Sequence, residues 1–341
     1  MKKTKILQNI FIKVALLFAV TRSVAADTFI TFDPPGSTFT SPNGITPDGV
    51  ITGYYNDASR MTHGFIRSRD GAITTFDGPN ATFGTQAYGI NSARVITGGY
   101  CDPVNCHGFL RVRDGTFTTF DVPDAVFGTF PVGINEGAVI TGGYFDADLK
   151  FHSFVRARDG AFATFDPGMV TNSSGIINPA GAVTGHFFSP PDFLAHSFVR
   201  DHKGTTTIFD VPSVCQQFNG TFATGINPAG QVVGTYYDAN CETFHGFQRS
   251  PKGAFMTIDF PGATATEADA INPAGAISGI YFPPSGETFF GFLRSPNGNF
   301  TTYSAPPGSF GPNDKAINPP GAITGFYQDA TGAHGYLWTP R

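Results

Sequence analysis

Short apolar runs separated by turn residues recur along the chain from about residue 28 to its end. One copy consists of four runs, 117–121 (FTTFD), 133–135 (GIN), 139–144 (VITGGY) and 152–156 (HSFVR). Runs rich in aromatic and β-branched residues and bounded by Gly, Pro, Asn and Asp predict β-strands. Dipeptides such as Asp114-Gly115 predict tight hairpins between successive strands. The pattern therefore predicts units of four short antiparallel strands, and no helical periodicity follows residue 26.

The four-strand unit occurs seven times with a period of about 45 residues. An Ile-Asn pair marks the first strand in six copies, and a glycine lies in the second strand of all seven. The asparagines are Asn91, Asn135, Asn178, Asn227, Asn272 and Asn318, and the glycines are Gly53, Gly98, Gly142, Gly185, Gly234, Gly279 and Gly325. The copies span residues 28–72, 73–116, 117–161, 162–205, 206–254, 255–299 and 300–341. This pattern predicts an all-β fold, a seven-bladed β-propeller with four antiparallel strands per blade.

The two ends of the repeated region complement each other. The region begins with a lone strand of the fourth type, 28–33 (TFITFD), and ends with a strand of the third type, 334–338 (HGYLW). Pairing the two completes one blade and closes the ring by hydrogen bonds between the N-terminal strand and the C-terminal blade. We therefore expect a ring without an open sheet edge.

At the residue level the repeat resembles the extracellular repeats of the HAF family, whose pattern is Gly-Ile-Asn, a second strand ending in Gly, and a His-Ala-Phe triplet. The triplet occurs here with Gly or Ser in the middle, at 63–65, 107–109 and 152–154. The resemblance covers about residues 28–341. It departs from the pattern at Phe290, which replaces His, and at Thr46, which replaces Asn. The resemblance describes the repeat and says little about function.

Residues 1–26 have the features of a signal peptide. Basic residues at 2–5 precede an apolar stretch at 6–20, and small residues at 23–26 offer a cleavage site. An uncleaved anchor is the alternative, but the stretch is short for a membrane span. Cleavage would leave residues 27–341 and remove five positive charges and no negative ones, which moves the formal net charge from −5 to −10. We therefore expect a secreted or periplasmic protein with no nucleic-acid partner and no stable membrane insertion.

The four cysteines favour two disulfides in an exported chain. Cys101 and Cys106 flank one loop between a second and a third strand. Cys215 lies in a crossover between blades, and Cys241 lies in the following loop on the same face of the disc. We predict the pairs Cys101–Cys106 and Cys215–Cys241. A shared zinc ion is the alternative, but the usual closely spaced Cys pairs are absent.

Six histidines recur at one position of the third strand. They are His63, His107, His152, His196, His245 and His334. A ring of metal ligands is one interpretation, but successive blades would hold the side chains too far apart to share an ion. Counting across the hairpins predicts structural hydrogen bonds for the pairs His63–Asp77, His107–Asp121 and His152–Asp166. The arginines that recur at the end of the same strand we interpret as packing or pairing residues.

Residues that break the repeat are better candidates for a site, because seven equal blades define no unique position. Crossovers and loops of variable length, such as 189–195 and 210–224, should lie on one face, the long-loop face, where the first strands enter the mouth of the channel. Our candidates for ligand binding there are Tyr88, Phe130, His186, Phe222, Glu267, Asp269 and Lys315. Charge gathers on the last two blades, through Glu267, Asp269, Asp314 and Lys315, and aromatic groups gather opposite. A polar cluster beside aromatic rings suits a sugar or a peptide, although ordinary solvated loop residues would show the same composition.

No sequence motif of a known catalytic or nucleotide-binding site is present. We expect a non-catalytic monomer that binds a glycan or an extracellular protein through the long-loop face. A polysaccharide lyase or glycoside hydrolase at the channel mouth is an alternative, with the charged candidates and His186 as acid, base or charge-neutralising groups. A structural surface or matrix protein is a third. We expect no cofactor beyond weak Ca²⁺ binding by the acidic residues after the second strands, which are Asp57, Asp102, Asp146, Asp238 and Asp329.

Overall fold

The computed structural model describes residues 27–168, 175–189, 193–212, 214–215, 220–286 and 288–341. The predicted signal peptide and parts of the two loops of variable length lie outside these ranges. The described residues form 28 β-strands. Across the same ranges, no helix has the length and apolar character needed to cross a membrane.

The strands follow one another in the order that the repeat predicts. The first half comprises β1 (Thr28–Phe32), β2 (Phe39–Ile45), β3 (Ile51–Asn56), β4 (Thr62–Arg67), β5 (Ile73–Phe76), β6 (Thr85–Ile90), β7 (Ile96–Cys101), β8 (Cys106–Arg111), β9 (Phe117–Phe120), β10 (Thr129–Ile134), β11 (Ile140–Phe145), β12 (Phe151–Arg156), β13 (Phe162–Phe165) and β14 (Ile176–Ile177). The second half comprises β15 (Val183–Ser189), β16 (Leu194–Arg200), β17 (Thr206–Phe209), β18 (Thr221–Ile226), β19 (Val232–Tyr237), β20 (Phe244–Arg249), β21 (Phe255–Ile258), β22 (Ala265–Ile271), β23 (Ile277–Phe282), β24 (Phe290–Arg294), β25 (Phe300–Tyr303), β26 (Pro312–Ile317), β27 (Ile323–Asp329) and β28 (Gly332–Thr339).

The strands assemble into sheets of four antiparallel strands. Five sheets are β6–β9, β10–β13, β14–β17, β18–β21 and β22–β25. The remaining eight strands form one larger sheet, in which β26–β28 and β1 make one antiparallel set and β2–β5 the other. A single parallel pair, Phe39 with Ala333, joins the two sets. β1 pairs with β28 along its whole length, so the two ends of the chain share a sheet as predicted.

A glycine in each second strand reflects a close approach of the first strand. At Gly98 a Cβ would lie 2.0 Å from the carbonyl oxygen of Gln86. The partner strand is irregular at this point, since the register of β6 against β7 shifts between Ala87 and Gly89. The recurring glycine therefore accommodates a bulge in the first strand.

The core consists of similar apolar clusters between neighbouring sheets. One cluster joins Phe76 of β5 to Ala87, Ile96, Tyr100 and Phe109 of the next sheet. The phenylalanine of the third strand is completely buried, as at Phe109. Burying one such side chain contributes about 1.5–3 kcal/mol, so the repeated triplet stabilises the stacking of sheets.

The buried asparagines of the Ile-Asn pairs link one sheet to the next. Five of the six side-chain amides donate to main-chain carbonyl oxygens of the neighbouring unit: Asn91 to Asn135 (3.2 Å), Asn135 to Asn178 (3.3 Å), Asn178 to Asn227 (2.9 Å), Asn272 to Asn318 (3.2 Å) and Asn318 to Thr46 (3.3 Å). The first strands β2, β6, β10, β14, β18, β22 and β26 together line a cavity of about 370 Å³, which we call the central cavity. The antiparallel order places the crossovers and the connections after each second strand at one end of the sheets, which defines the long-loop face.

Candidate functional site

Asp314 of β26 is a buried carboxylate held by two tyrosines. The hydroxyl of Tyr303 donates to Asp314 Oδ1 at 2.5 Å, and the hydroxyl of Tyr336 donates to the same oxygen. Asp314 is only 4% exposed. Burial raises its pKa, while the two hydroxyls and Lys315 oppose the rise. All three residues depart from the repeat. At the equivalent positions the other copies have Phe or Ile instead of Tyr303, Phe instead of Tyr336, and Ala, Pro or Ser instead of Asp314.

Three of the predicted charged candidates gather beside Asp314. Glu267 and Asp269 lie on β22, and Lys315 follows Asp314 on the neighbouring strand β26. Burial raises the pKa of Glu267, and Lys315 partly offsets this. Burial also raises the pKa of Asp269 well above its ordinary value, and the charge of Asp314 raises it further. We call Glu267, Asp269, Asp314 and Lys315 the acidic group.

Lys315 is the exposed member of the acidic group. Its ammonium lies over the ring of Phe326, 5.4 Å from the ring centre, and it lines the central cavity. A cation over an aromatic face is favourable by about 0.5–1 kcal/mol at an exposed site. The acidic group therefore combines protonatable carboxyls with one cation at the rim of the cavity.

Two further candidates, His186 and Phe222, contact each other at one end of a series of aromatic rings, which we call the aromatic arc. Their ring centres are 5.2 Å apart. Burial lowers the pKa of His186, which favours the neutral imidazole. Successive ring contacts of 5.2–6.5 Å continue from Phe222 through Tyr237, Phe244, Phe282 and Phe289. The aromatic arc consists of these six residues together with Phe188, and it borders β22 of the acidic group.

The remaining candidates, Tyr88 and Phe130, belong to a separate aromatic group. They line a second cavity of about 250 Å³ beside β6 and β10, and Tyr88 also borders the central cavity. We expected the aromatic groups to gather opposite the charges. The structure instead has two separate sets of aromatic residues, and Phe222 lies on β18, the strand next to β22. The difference arises because long aromatic side chains reach across neighbouring sheets.

Each of the six recurrent histidines contacts an aspartate carboxylate at an equivalent position of the repeat. Their Nδ1 atoms lie 2.7–3.0 Å from an aspartate at the end of the fourth strand, in the pairs His63–Asp77, His107–Asp121, His152–Asp166, His196–Asp210, His245–Asp259 and His334–Asp33. Each ring also packs on an aromatic residue of the second strand, as His107 does on Tyr100. These contacts place the histidines at equivalent outer positions and not around a common point.

A second carboxylate, which the repeat pattern does not predict, approaches four of these histidines. Distances from His Nε2 are 3.6 Å to Asp57, 3.4 Å to Asp102, 3.0 Å to Asp146 and 3.2 Å to Asp329. These aspartates also accept backbone N–H groups of their own loops. Within the described ranges, no group of three or more His, Cys, Asp or Glu residues is arranged to hold a metal ion. Weak Ca²⁺ binding stays a prediction.

The recurrent arginines pack on aromatic rings. The guanidinium of Arg111 lies 4.7 Å from the ring centre of Phe76, and Arg156 and Arg249 lie 4.7 and 4.6 Å from Phe120 and Phe209. These contacts connect the third strand of one sheet to the fourth strand of the preceding one. The arginines therefore contribute to the stacking of sheets.

Both predicted disulfides are present, Cys101–Cys106 and Cys215–Cys241. They lie on the long-loop face, where they brace connections between strands. Disulfides persist in oxidising compartments, so this chain is suited to a location outside the cytoplasm.

No family model matches the chain, and no curated protein matches it. Three similar solved structures are a streptogramin B lyase (TM-score 0.60, 12% identity, 91% of this chain and 97% of that chain), an oligogalacturonate lyase in complex with manganese (0.59, 11%, 93% and 97%) and a catalytically inactive virginiamycin B lyase from Staphylococcus aureus with quinupristin (0.58, 13%, 91% and 99%). At these identities the likeness concerns the fold alone. The chain has an all-β fold of the β-propeller type, which is shared by proteins of varied function.

Proposed function

We propose that the mature chain is a closed seven-bladed β-propeller, secreted or periplasmic, that binds a neutral or amino-sugar glycan on its long-loop face. The observation that carries the proposal is that residues breaking the repeat gather on or beside β18, β22 and β26, neighbouring strands that line one side of the central cavity. The acidic group supplies hydrogen-bonding carboxyls, and the aromatic arc supplies flat apolar surface beside it. Pockets that combine these two features suit ligands with both polar and apolar faces.

The seven-bladed ring is supported by contacts that return to their starting point. The first strands touch in the cyclic order β2, β6, β10, β14, β18, β22, β26 and β2. The amide of Asn318 donates to Thr46 across the junction of the two chain ends. We propose that the eight-stranded sheet is two blades bridged at one residue pair, Phe39 with Ala333.

The charge around the site favours a glycan that carries no acid groups. The mature chain has a formal net charge of −10 when residues 1–26 are removed. An anionic polymer would be repelled by this net charge, whereas an amino sugar would be attracted and a neutral sugar would not be repelled. We infer from the same argument that uronic-acid polymers bind poorly.

A glycan array probed with residues 27–341 tests the proposal. We expect binding to neutral or amino sugars in the wild type, and a loss of at least tenfold in the variant Glu267→Gln/Asp269→Asn. The matched control Asp114→Asn/Asp159→Asn removes two carboxylates from hairpins at the opposite end of the sheets and should bind as the wild type does. Binding that survives in the first variant, or no binding to any glycan, would contradict the proposal and favour a protein partner or a structural role.

A polysaccharide lyase or glycoside hydrolase at the same site is the second candidate. The raised pKa of Glu267 favours it, because burial that disfavours the carboxylate makes a carboxyl more suitable as a general acid. Reducing ends should then appear when the array ligands are incubated with the wild type and not with Glu267→Gln. Binding without product over a day would exclude this candidate.

A further inference from the structure

The second cavity opens on the long-loop face, on strands other than those of the acidic group. We call it the Gly99 pocket. Gly99 of β7 forms its floor, Tyr88 and Phe130 line it, and Phe83 and the Cys101–Cys106 disulfide complete it. Its volume is about 250 Å³.

The floor of the pocket is a position that carries a side chain in most copies of the repeat. The equivalent residues in five other second strands are Tyr54, His186, Thr235, Ile280 and Phe326. Only Gly99 and Gly143 lack a side chain there. At Gly143 the space is filled from elsewhere, because a Cβ would lie 1.9 Å from Cζ of the Phe151 ring.

The space above Gly99 is left open by the disulfide. Phe145 and Phe151 face each other across β11 and β12, and the equivalent pair in β7 and β8 is Cys101 and Cys106. Among the described residues, no ring atom therefore lies within 4 Å of a Cβ placed at Gly99, and the nearest atom would be the His107 carbonyl oxygen at 3.6 Å. The molecule thus contains the same compartment twice, once filled by its own phenylalanine ring and once open.

The chemistry of the walls suits a neutral group. Among the described residues, no charged side chain lines the Gly99 pocket, and its polar side chains are those of Thr62, Gln86, Tyr88 and Tyr100. The hydroxyl of Tyr88 donates to Gln86 Oε1 at 2.7 Å. Burial raises the pKa of Tyr88 to about 12, so the phenol stays neutral. A charged group would lose its hydration without a partner, and a sugar ring would leave most of its hydroxyls unpaired.

We propose that the Gly99 pocket binds a neutral aromatic ring. In the neighbouring sheet, the Phe151 ring fills the equivalent position over Gly143. The volume is sufficient, because an apolar cavity of about 150 Å³ already holds benzene. Phe83 lies at the mouth with 72% of its surface exposed, where it can pack against the incoming ring. This inference goes beyond the proposed glycan site and does not depend on it.

Saturation-transfer difference NMR with phenol, cyclohexanol, methyl glucoside and the peptide amide Gly-Tyr-Gly tests the inference. We expect phenol to bind the wild type with a dissociation constant on the order of 1 mM. The variant Gly99→Phe should weaken phenol binding at least tenfold by filling the pocket. Gly99→Ile, which introduces the residue type that β23 has at the equivalent position, Ile280, should have the same effect. Both should fold, because Gly99 has no positive φ and its Cβ position is open. The matched control Thr235→Phe places a phenylalanine at the equivalent position of β19 and should leave phenol binding unaltered.

The probes separate the sources of the ring. Binding of both phenol and the tyrosine peptide would support the inference for a ring carried on a polypeptide, and binding of phenol alone would support it for a free aryl compound. Three outcomes would overturn it: no binding of phenol to the wild type, equal binding to the two Gly99 variants, or tighter binding of cyclohexanol or methyl glucoside than of phenol.

Discussion

Asp314 shows how a single polar residue is kept in an apolar core. It occupies a position that Ala, Pro or Ser fills in the other copies, and its two partners, Tyr303 and Tyr336, are hydroxylated versions of the usual phenylalanine. A buried carboxyl without such donors would be strongly destabilising. The three departures from the repeat therefore belong together, and the sequence alone displayed each of them without showing that they meet.

Removing one hydroxyl should destabilise the fold. We expect Tyr336→Phe to lower the free energy of unfolding by about 1–3 kcal/mol, because Asp314 then loses a buried donor. Urea denaturation of the variant and the wild type measures this. The triple variant Asp314→Ala/Tyr303→Phe/Tyr336→Phe restores the residues typical of the repeat and should recover the lost stability. A triple variant less stable than Tyr336→Phe would contradict the account.

The contacts between the recurrent histidines and aspartates predict a pH dependence of stability. Burial alone would lower the pKa of His152, but hydrogen bonds to Asp146 and Asp166 outweigh it and raise the pKa. The folded state then binds the proton more tightly than the unfolded state does, so the stabilisation is complete below the ordinary pKa of 6.5 and is lost as the pH rises above it. The stabilising difference between wild type and His152→Gln should therefore be larger at pH 5.5 than at pH 8, measured by urea denaturation. A difference that is constant or larger at pH 8 would contradict the assignment.

At the scale of elements, strands, hairpins and disulfides were predictable from the sequence because each copy repeats the same turn chemistry. The Asp114-Gly115 hairpin sets the register of β8 against β9, which brings His107 to Asp121, and the short connection 102–105 places Cys101 opposite Cys106. The Gly99 pocket was not predictable, because it depends on the directions that the Tyr88 and Phe130 side chains take beside Gly99. The direction of a long side chain is decided by packing and not by its own strand pattern.

The two disulfides should contribute unequally. Cys215–Cys241 spans 26 residues and Cys101–Cys106 spans 5. Closing the longer loop removes more entropy from the unfolded chain, so we expect the Cys215→Ser/Cys241→Ser variant to lose about 3 kcal/mol and the Cys101→Ser/Cys106→Ser variant about 2 kcal/mol. Thermal and urea unfolding of the two variants compare them. A larger loss for the shorter loop would show that packing at the Gly99 pocket outweighs loop entropy.

At the scale of the whole molecule, the chain ends meet in one sheet. Asp27 accepts the backbone N–H of Arg341 at 3.0 Å, and Asp33 of the N-terminal segment contacts His334 of β28. The pairing of the end strands was predictable because the leading strand and the final strand are complementary parts of one unit. A central cavity was predictable from the seven copies of the repeat, but the arrangement of charged and aromatic residues around it was not.

Removing the strand pairing between the chain ends should lower the unfolding temperature more than cutting the chain at another place does. We expect a chain starting at Pro34 to unfold at a temperature lower by at least 10 °C, because it loses β1 and exposes the edge of β28. A circular permutant that joins Arg341 to Asp27 through a short Gly/Ser linker and opens at the 113–116 hairpin keeps β1 in place and should retain its unfolding temperature within a few degrees. Equal loss in both chains would contradict the role of the end pairing.

The most direct test of the central claim is hydrogen–deuterium exchange of residues 27–341 with and without the strongest ligand from the glycan array. We predict added protection in β18, β22 and β26 around the acidic group and the aromatic arc. Protection confined to the hairpins at 68–72, 112–116 and 157–161, at the opposite end of the sheets, would contradict the assignment of the long-loop face as the binding surface.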